Sequence, residues 1–108
     1  MKNEARIAAI QQMLLSQPND VFLTYALGLE YACHPSTYQL AEAQFLAAIT
    51  LQQNYVAAYY QLGQLYADMQ KPEQALERYR EALQVAKDNK DRKAMNEIEE
   101  AIFLLSDD

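Results

Sequence analysis

Tryptophan is absent from this 108-residue chain; glycine occurs twice, proline three times, and cysteine and histidine once each. So few glycines and prolines leave little room for the turns of a many-stranded β fold, and long helices are expected instead. The single Cys33 excludes an internal disulfide, which makes a reducing cytoplasm the expected compartment. No window approaches the ~20 apolar residues of a membrane span. Residues 1–6 lead into an apolar stretch broken by Gln11 and Gln12, not into the h-region of a secretory signal. Basic residues are also short: 9 Lys and Arg face 15 Asp and Glu, for a net charge of −6. Nucleic acid, whose phosphates need clustered cations, is therefore not an expected partner.

The chemistry of catalysis is missing as well. There is no phosphate-cradling glycine loop and no Ser/His/Asp or Cys/His arrangement that helical periodicity would assemble. Cys33-His34 is the one place where a nucleophile or a metal could be imagined. Without a second His or Cys, or acids at ligand spacing, it reads as an ordinary helix end with an imidazole near the negative pole of the dipole. The chain is expected to be no enzyme, with no cofactor and no metal.

What is present is a hydrophobic fraction of 51%, enough for one continuous core in a single domain covering 1–108. Charge is unevenly placed. Residues 31–67 contain one formally charged side chain, Glu42, whereas residues 71–108 mix cations and acids as a solvated surface does. The middle carries Ala, Gln and Tyr, with little like-charge repulsion against another protein.

Six helical segments follow from 3.6-residue periodicity. The first, 4–16, puts Ile7, Ile10 and Leu14 on one face and stops at Gln17-Pro18. Asn19 or Asp20 can cap a second, about 20–33, which His34-Pro35 breaks. Ser36-x-x-Gln39 fits a capping box for a third at 37–51, and Asn54 can cap a fourth at 55–69. Pro72 suits the first turn of a fifth, 72–87. Asp88-Asn89-Lys90-Asp91 separates it from a sixth at about 92–105, striped by Met95, Ile98, Ala101, Ile102 and Leu105.

Two windows repeat. Leu27-Gly28-Leu29-Glu30-Tyr31 and Leu62-Gly63-Gln64-Leu65-Tyr66 both read L-G-x-x-Y, with their glycines 35 positions apart. Each precedes an A-x-x-x-[FY]-x-x-A run, Ala41, Phe45 and Ala48 in one copy and Ala75, Tyr79 and Ala82 in the other. A glycine inside a helix costs up to ~1 kcal/mol against alanine, so its recurrence implies close approach of another helix. The alanines answer it on the partner helix, and Tyr31, Tyr66, Phe45 and Tyr79 fill the space between.

These residues resemble the tetratricopeptide repeat (TPR) family. The matching copies are 21–55 and 56–89, preceded by a half repeat at 4–16 and followed by a capping helix at 91–106. Tyr59 stands where the family usually has Trp, and Thr24 departs from that large aromatic in the first copy. Gln53 and Lys87 replace the closing proline, and the 33–39 turn has one extra residue. The resemblance implies an all-α, right-handed antiparallel helix-hairpin array whose first helices line a concave groove. Its groove positions would be Phe22, Tyr25, Leu29 and Cys33 in one repeat and Ala57, Tyr60, Gln64 and Asp68 in the other, with Ala94 and Ile98 extending the surface.

None of the eight is the Lys, Arg or Asn with which the family's carboxylate clamps grip a peptide terminus. The surface is aromatic and amide-rich, suited to an apolar or aromatic segment, with Asp68 free to pair a cation. Glu97-x-Glu99-Glu100 reads mainly as the wet face of a terminal helix, though it could recruit a basic partner. The expected function is a protein-interaction scaffold or adaptor. The alternative is a self-associating structural protein, a homodimer through the charge-poor middle or an end face.

Overall fold

The computed structural model describes residues 2–106, and among them there are six α-helices and no strand. In chain order they are α1 (Lys2–Ser16), α2 (Val21–Tyr31), α3 (Tyr38–Leu51), α4 (Val56–Asp68), α5 (Pro72–Asp88) and α6 (Arg92–Ser106). A 3₁₀ turn, Pro35–Thr37, stands before α3. The helices form two compact units, Met1–Gln53 and Asn54–Asp108.

Helix starts depend on who accepts the first free backbone amides. Asp20 is the cap of α2, its carboxylate accepting the Leu23 N–H at 2.9 Å; Asp91 does the same for Ala94 at 3.0 Å and opens α6. Two expected caps do not form. The Ser36–Gln39 capping box is displaced by the 3₁₀ turn, which leaves Thr37 at the cap position with no forward side-chain bond. The Thr37 hydroxyl instead lies 2.5 Å from the Tyr31 carbonyl and 3.1 Å from that of His34, closing the end of α2. Asn54 lies one residue too early: Tyr55 holds the cap position of α4, and the Asn54 carbonyl accepts the Asn89 side-chain amide at 3.0 Å.

Helix ends show where the missing glycines would have gone. After α4 and after α5 the chain turns through Gln70 (φ 61°) and Lys90 (φ 57°), the left-handed region that glycine usually fills. Lys71 N–H then reaches the Tyr66 carbonyl at 2.8 Å, and Asp91 N–H that of Ala86 at 2.9 Å. These six-to-one bonds complete both caps without any glycine.

In the first unit α2 packs on α3, with Leu27, Ala41, Phe45 and Ala48 buried. Gly28 is required there: a Cβ on it would stand 2.5 Å from Cε1 of Phe45. Tyr31 turns toward α1, its hydroxyl accepting from Gln11 at 3.2 Å. The Asn3 amide donates to the Glu30 carboxylate at 2.7 Å and ties the start of α1 to the end of α2. In the second unit α4 packs on α5 around Leu62, Tyr66, Tyr79 and the alanines at 58, 75, 82 and 86. Gly63 repeats the first solution, since its Cβ would stand 2.5 Å from Cε1 of Tyr79. Ile98 anchors α6 against α5 with 1% of its surface exposed. Burial of a side chain the size of Phe45, Leu62 or Ile98 contributes about 1.5–3 kcal/mol each.

Candidate partner-binding site

Residues 22, 25 and 29 follow a helical i, i+3, i+7 spacing, which puts Phe22, Tyr25 and Leu29 on one face of α2. Phe22 is 63% exposed, while Tyr25 and Leu29 are half-buried. Cys33, the fourth position in this row, lies beyond the last residue of α2, exposed, its thiol 3.4 Å from the Leu29 carbonyl. On α4, Ala57, Tyr60, Gln64 and Asp68 share one face in the same way; Ala57 and Tyr60 are half-buried, Gln64 and Asp68 exposed. Each of these eight side chains keeps some access to solvent.

The two tyrosines are held identically. Tyr25 leans on Phe45 with ring centroids 5.8 Å apart and planes tilted by 46°; Tyr60 leans on Tyr79 at 5.8 Å and 41°. Such offset, tilted pairs are the favoured geometry for aromatic rings. Thus Phe45 and Tyr79 each press on a helix-interior glycine and at the same time brace a half-exposed tyrosine.

In the second unit a concavity of about 290 Å³ opens between α4, α5 and α6. Tyr60, Gln64 and Tyr79 line it from one side, and Glu97, Glu100 and Leu104 from α6. Burial pushes the Tyr60 phenol up from its ordinary value, and the carboxylates of Glu97 and Glu100 push it further in the same direction. Tyr79 is raised to about 12, first by burial and then by Tyr60 and Asp68. The local field is therefore negative.

This corrects one expectation about α6. Ile98 faces the core and adds nothing to the surface, and the α6 side chains that look onto Tyr60 are Glu97 and Glu100. The signal was present as Glu97, Glu100 and Leu104 at i, i+3, i+7, a face flanking the apolar stripe.

In the first unit the consequence of Thr24 is visible. It is 4% exposed, its hydroxyl donating to the Asp20 carbonyl at 3.0 Å, and it lines a mostly apolar hollow of about 480 Å³ with Leu14, Pro18, Ala47 and Leu51. The corresponding Tyr59 of the second unit is half-buried. Among the described residues no three His, Cys, Asp or Glu side chains group as metal ligands, and no helix is long and apolar enough to cross a membrane.

With helix order, core and repeated glycine–ring contacts in place, the family can be stated. Residues 21–108 match the model of the family described as anaphase-promoting complex subunit 5. The chain belongs to this family. It is a small TPR-like protein, as solved structures also indicate. A tetratricopeptide repeat domain protein from Salinibacter ruber is 29% identical, with a TM-score of 0.75 over 82% of this chain and 89% of its own. The type III secretion translocator chaperone SycD from Yersinia enterocolitica shares the fold at 12% identity, with a TM-score of 0.84 over 96% of this chain and 72% of its own. A protein from Bordetella parapertussis does so at 21%, with a TM-score of 0.82 over 93% and 86%. Among curated proteins nothing matches the sequence.

Proposed function

We propose that this member of the anaphase-promoting complex subunit 5 family is a non-catalytic protein-interaction scaffold of the cytoplasm. It binds a peptide or helical segment of a partner protein through Phe22, Tyr25 and Leu29 on α2, Cys33 just after that helix, and Ala57, Tyr60, Gln64 and Asp68 on α4. The observation that carries this reading is the repeated tyrosine. Tyr25 and Tyr60 are braced from below by a buried ring and open to solvent above, so a partner meets a rigid aromatic surface at little entropic cost. The family's name, that of a subunit of a multi-protein complex, supports the same class of function.

Burying such anchors makes them hot spots, and truncation of one to alanine costs about 1–3 kcal/mol of binding. The test is capture of partners by the wild type, Tyr25→Ala and Tyr60→Ala, with each variant's fold checked by circular dichroism. If both variants retain every partner of the wild type, the reading fails. Light scattering behind a sizing column sets the alternative apart. A mass holding at 12.4 kDa across about a hundredfold dilution leaves these faces free. A mass of twice that, persisting on dilution, makes self-association the function to pursue.

A further inference from the structure

The two units compare position by position, since the Ala41, Phe45, Ala48 run of α3 answers to Ala75, Tyr79, Ala82 of α5. Beside that run on α5, Gln74, Arg78, Glu81 and Val85 follow i, i+4, i+7, i+11 and form one stripe. Arg78 donates to the Glu81 carboxylate at 2.8 Å, and Tyr59 of α4 stands beside this pair. Burial raises the Tyr59 phenol, Glu81 raises it further, and Arg78 acts against them. The first unit lacks all three side chains. Thr24 takes the place of Tyr59, Gln44 that of Arg78 and Ala47 that of Glu81. What remains there is the hollow of about 480 Å³ between α1, α2 and α3, none of whose lining residues is charged. Leu40 and Leu51, at the two ends of the same α3 stripe, are 50% and 41% exposed. Helical spacing puts Thr24 on the opposite side of α2 from Phe22, Tyr25 and Leu29, so this surface is separate from theirs.

We infer that this hollow is a docking site for a tyrosine or tryptophan side chain of a partner protein, carried on an uncharged segment that lies along Leu40, Gln44, Ala47 and Leu51 of α3. The second unit indicates the size and kind of the occupant: where it holds a ring of its own, the first unit holds none. Charge selects in the same direction. A Lys, Arg, Asp or Glu entering the hollow would lose its water and find no counter-charge on any wall. The hydroxyls that line it favour a donor. Thr24 donates to the Asp20 carbonyl and Thr50 to that of Leu46, each at 3.0 Å, so both present only oxygen lone pairs. A phenol O–H or an indole N–H meets them while its ring covers Leu14, Pro18 and Leu51; phenylalanine and leucine cover the walls and bring no donor. The site goes beyond the scaffold reading and does not depend on Tyr25 or Tyr60.

The experiment depletes a random-peptide display library on Thr24→Tyr, which refills the hollow, and then enriches it on the wild-type protein. Only peptides that need the open hollow are kept, and they are expected to carry Tyr or Trp among uncharged neighbours. Their binding is measured by fluorescence anisotropy. Thr24→Tyr, and Gln44→Arg/Ala47→Glu, which copies the ion pair of α5 onto α3, should each weaken it at least about tenfold, while Tyr60→Ala leaves it unchanged. Replacing the peptide's ring by alanine should give the same loss on the wild type and little further loss on Thr24→Tyr. Circular dichroism and thermal melting check each fold, and the arginine–glutamate variant takes over the depletion if Thr24→Tyr does not fold. Absence of enrichment, enriched peptides without Tyr or Trp, or binding indifferent to the arginine–glutamate pair overturns the proposal. So does a wild type that is dimeric by light scattering and monomeric as Thr24→Tyr, because a second copy then fills the hollow. Peptides that bind the Tyr25 and Tyr60 faces are removed at the depletion step, so a failure here leaves the scaffold reading standing.

Discussion

Replacing Gly63 by alanine sets two opposite effects against each other at one atom. Within a helix, alanine is favoured over glycine by about 1 kcal/mol, so on propensity alone Gly63→Ala stabilises α4. The added Cβ, however, arrives 2.5 Å from Cε1 of Tyr79, where carbon atoms normally rest about 3.5–4.0 Å apart. Relief requires a movement of about 1 Å by the ring or by α4. Neither moves easily. Tyr79 is 4% exposed, the clash falls on the ring itself and not on a flexible tip, and the ring also packs against Tyr60. Overpacking of this kind costs about 1–3 kcal/mol, and the rigidity of the site puts it at the upper end. The net expectation is a loss of ~2 kcal/mol, a melting temperature lower by about 8–16 °C.

Urea titration followed by far-UV circular dichroism measures it, and a mutant cycle isolates the cause. In a Tyr79→Leu background the clash is gone and the helix propensity remains, so Gly63→Ala becomes neutral or mildly stabilising, with a coupling of about 2–3 kcal/mol. Gly28→Ala, whose Cβ meets Phe45 at the same 2.5 Å, should reproduce the loss in the first unit. A Gly63→Ala protein as stable as the wild type would refute the close-approach argument for both glycines.

Glycine is expected to help where the chain omits it. Gln70→Gly and Lys90→Gly relieve non-glycine residues held at φ 61° and 57°, and each should raise the urea midpoint by the equivalent of about 0.5–1 kcal/mol. Thr24→Tyr places a ring in the hollow lined by Leu14, Pro18 and Leu51; a gain of ~1 kcal/mol is expected, and destabilisation would show that the Thr24–Asp20 bond outweighs the filled space. Alkaline stability should follow Tyr79. Its folded value is raised from 10.0 to about 12, so its contribution is complete below pH 10 and is lost as the pH climbs toward 12, on the order of 2 kcal/mol in all. Tyr79→Phe should flatten that part of the stability–pH curve, and urea midpoints at several alkaline pH values show whether it does.

The parts of this fold legible in the sequence are those whose physical cause is local or repeated. Gly28 and Gly63 could be read because a helix-interior glycine is costly and here recurs before an Ala, Phe/Tyr, Ala run; the structure puts Phe45 and Tyr79 directly upon them. Capping was harder because neighbouring side chains compete for the same role. Ser36 and Thr37 both carry a hydroxyl, and the outcome turned on the reach from Thr37 back to the Tyr31 carbonyl, a distance that no local pattern encodes. The same gap between local pattern and tertiary placement decided α6. The stripe through Met95, Ile98, Ala101 and Leu105 names its inward side, and an exposed face of acids beside it is what any terminal helix shows. What turns Glu97 and Glu100 from a wetted edge into the wall of a concavity is Tyr60, thirty-seven residues earlier in the chain, held across from them by its own contact with Tyr79.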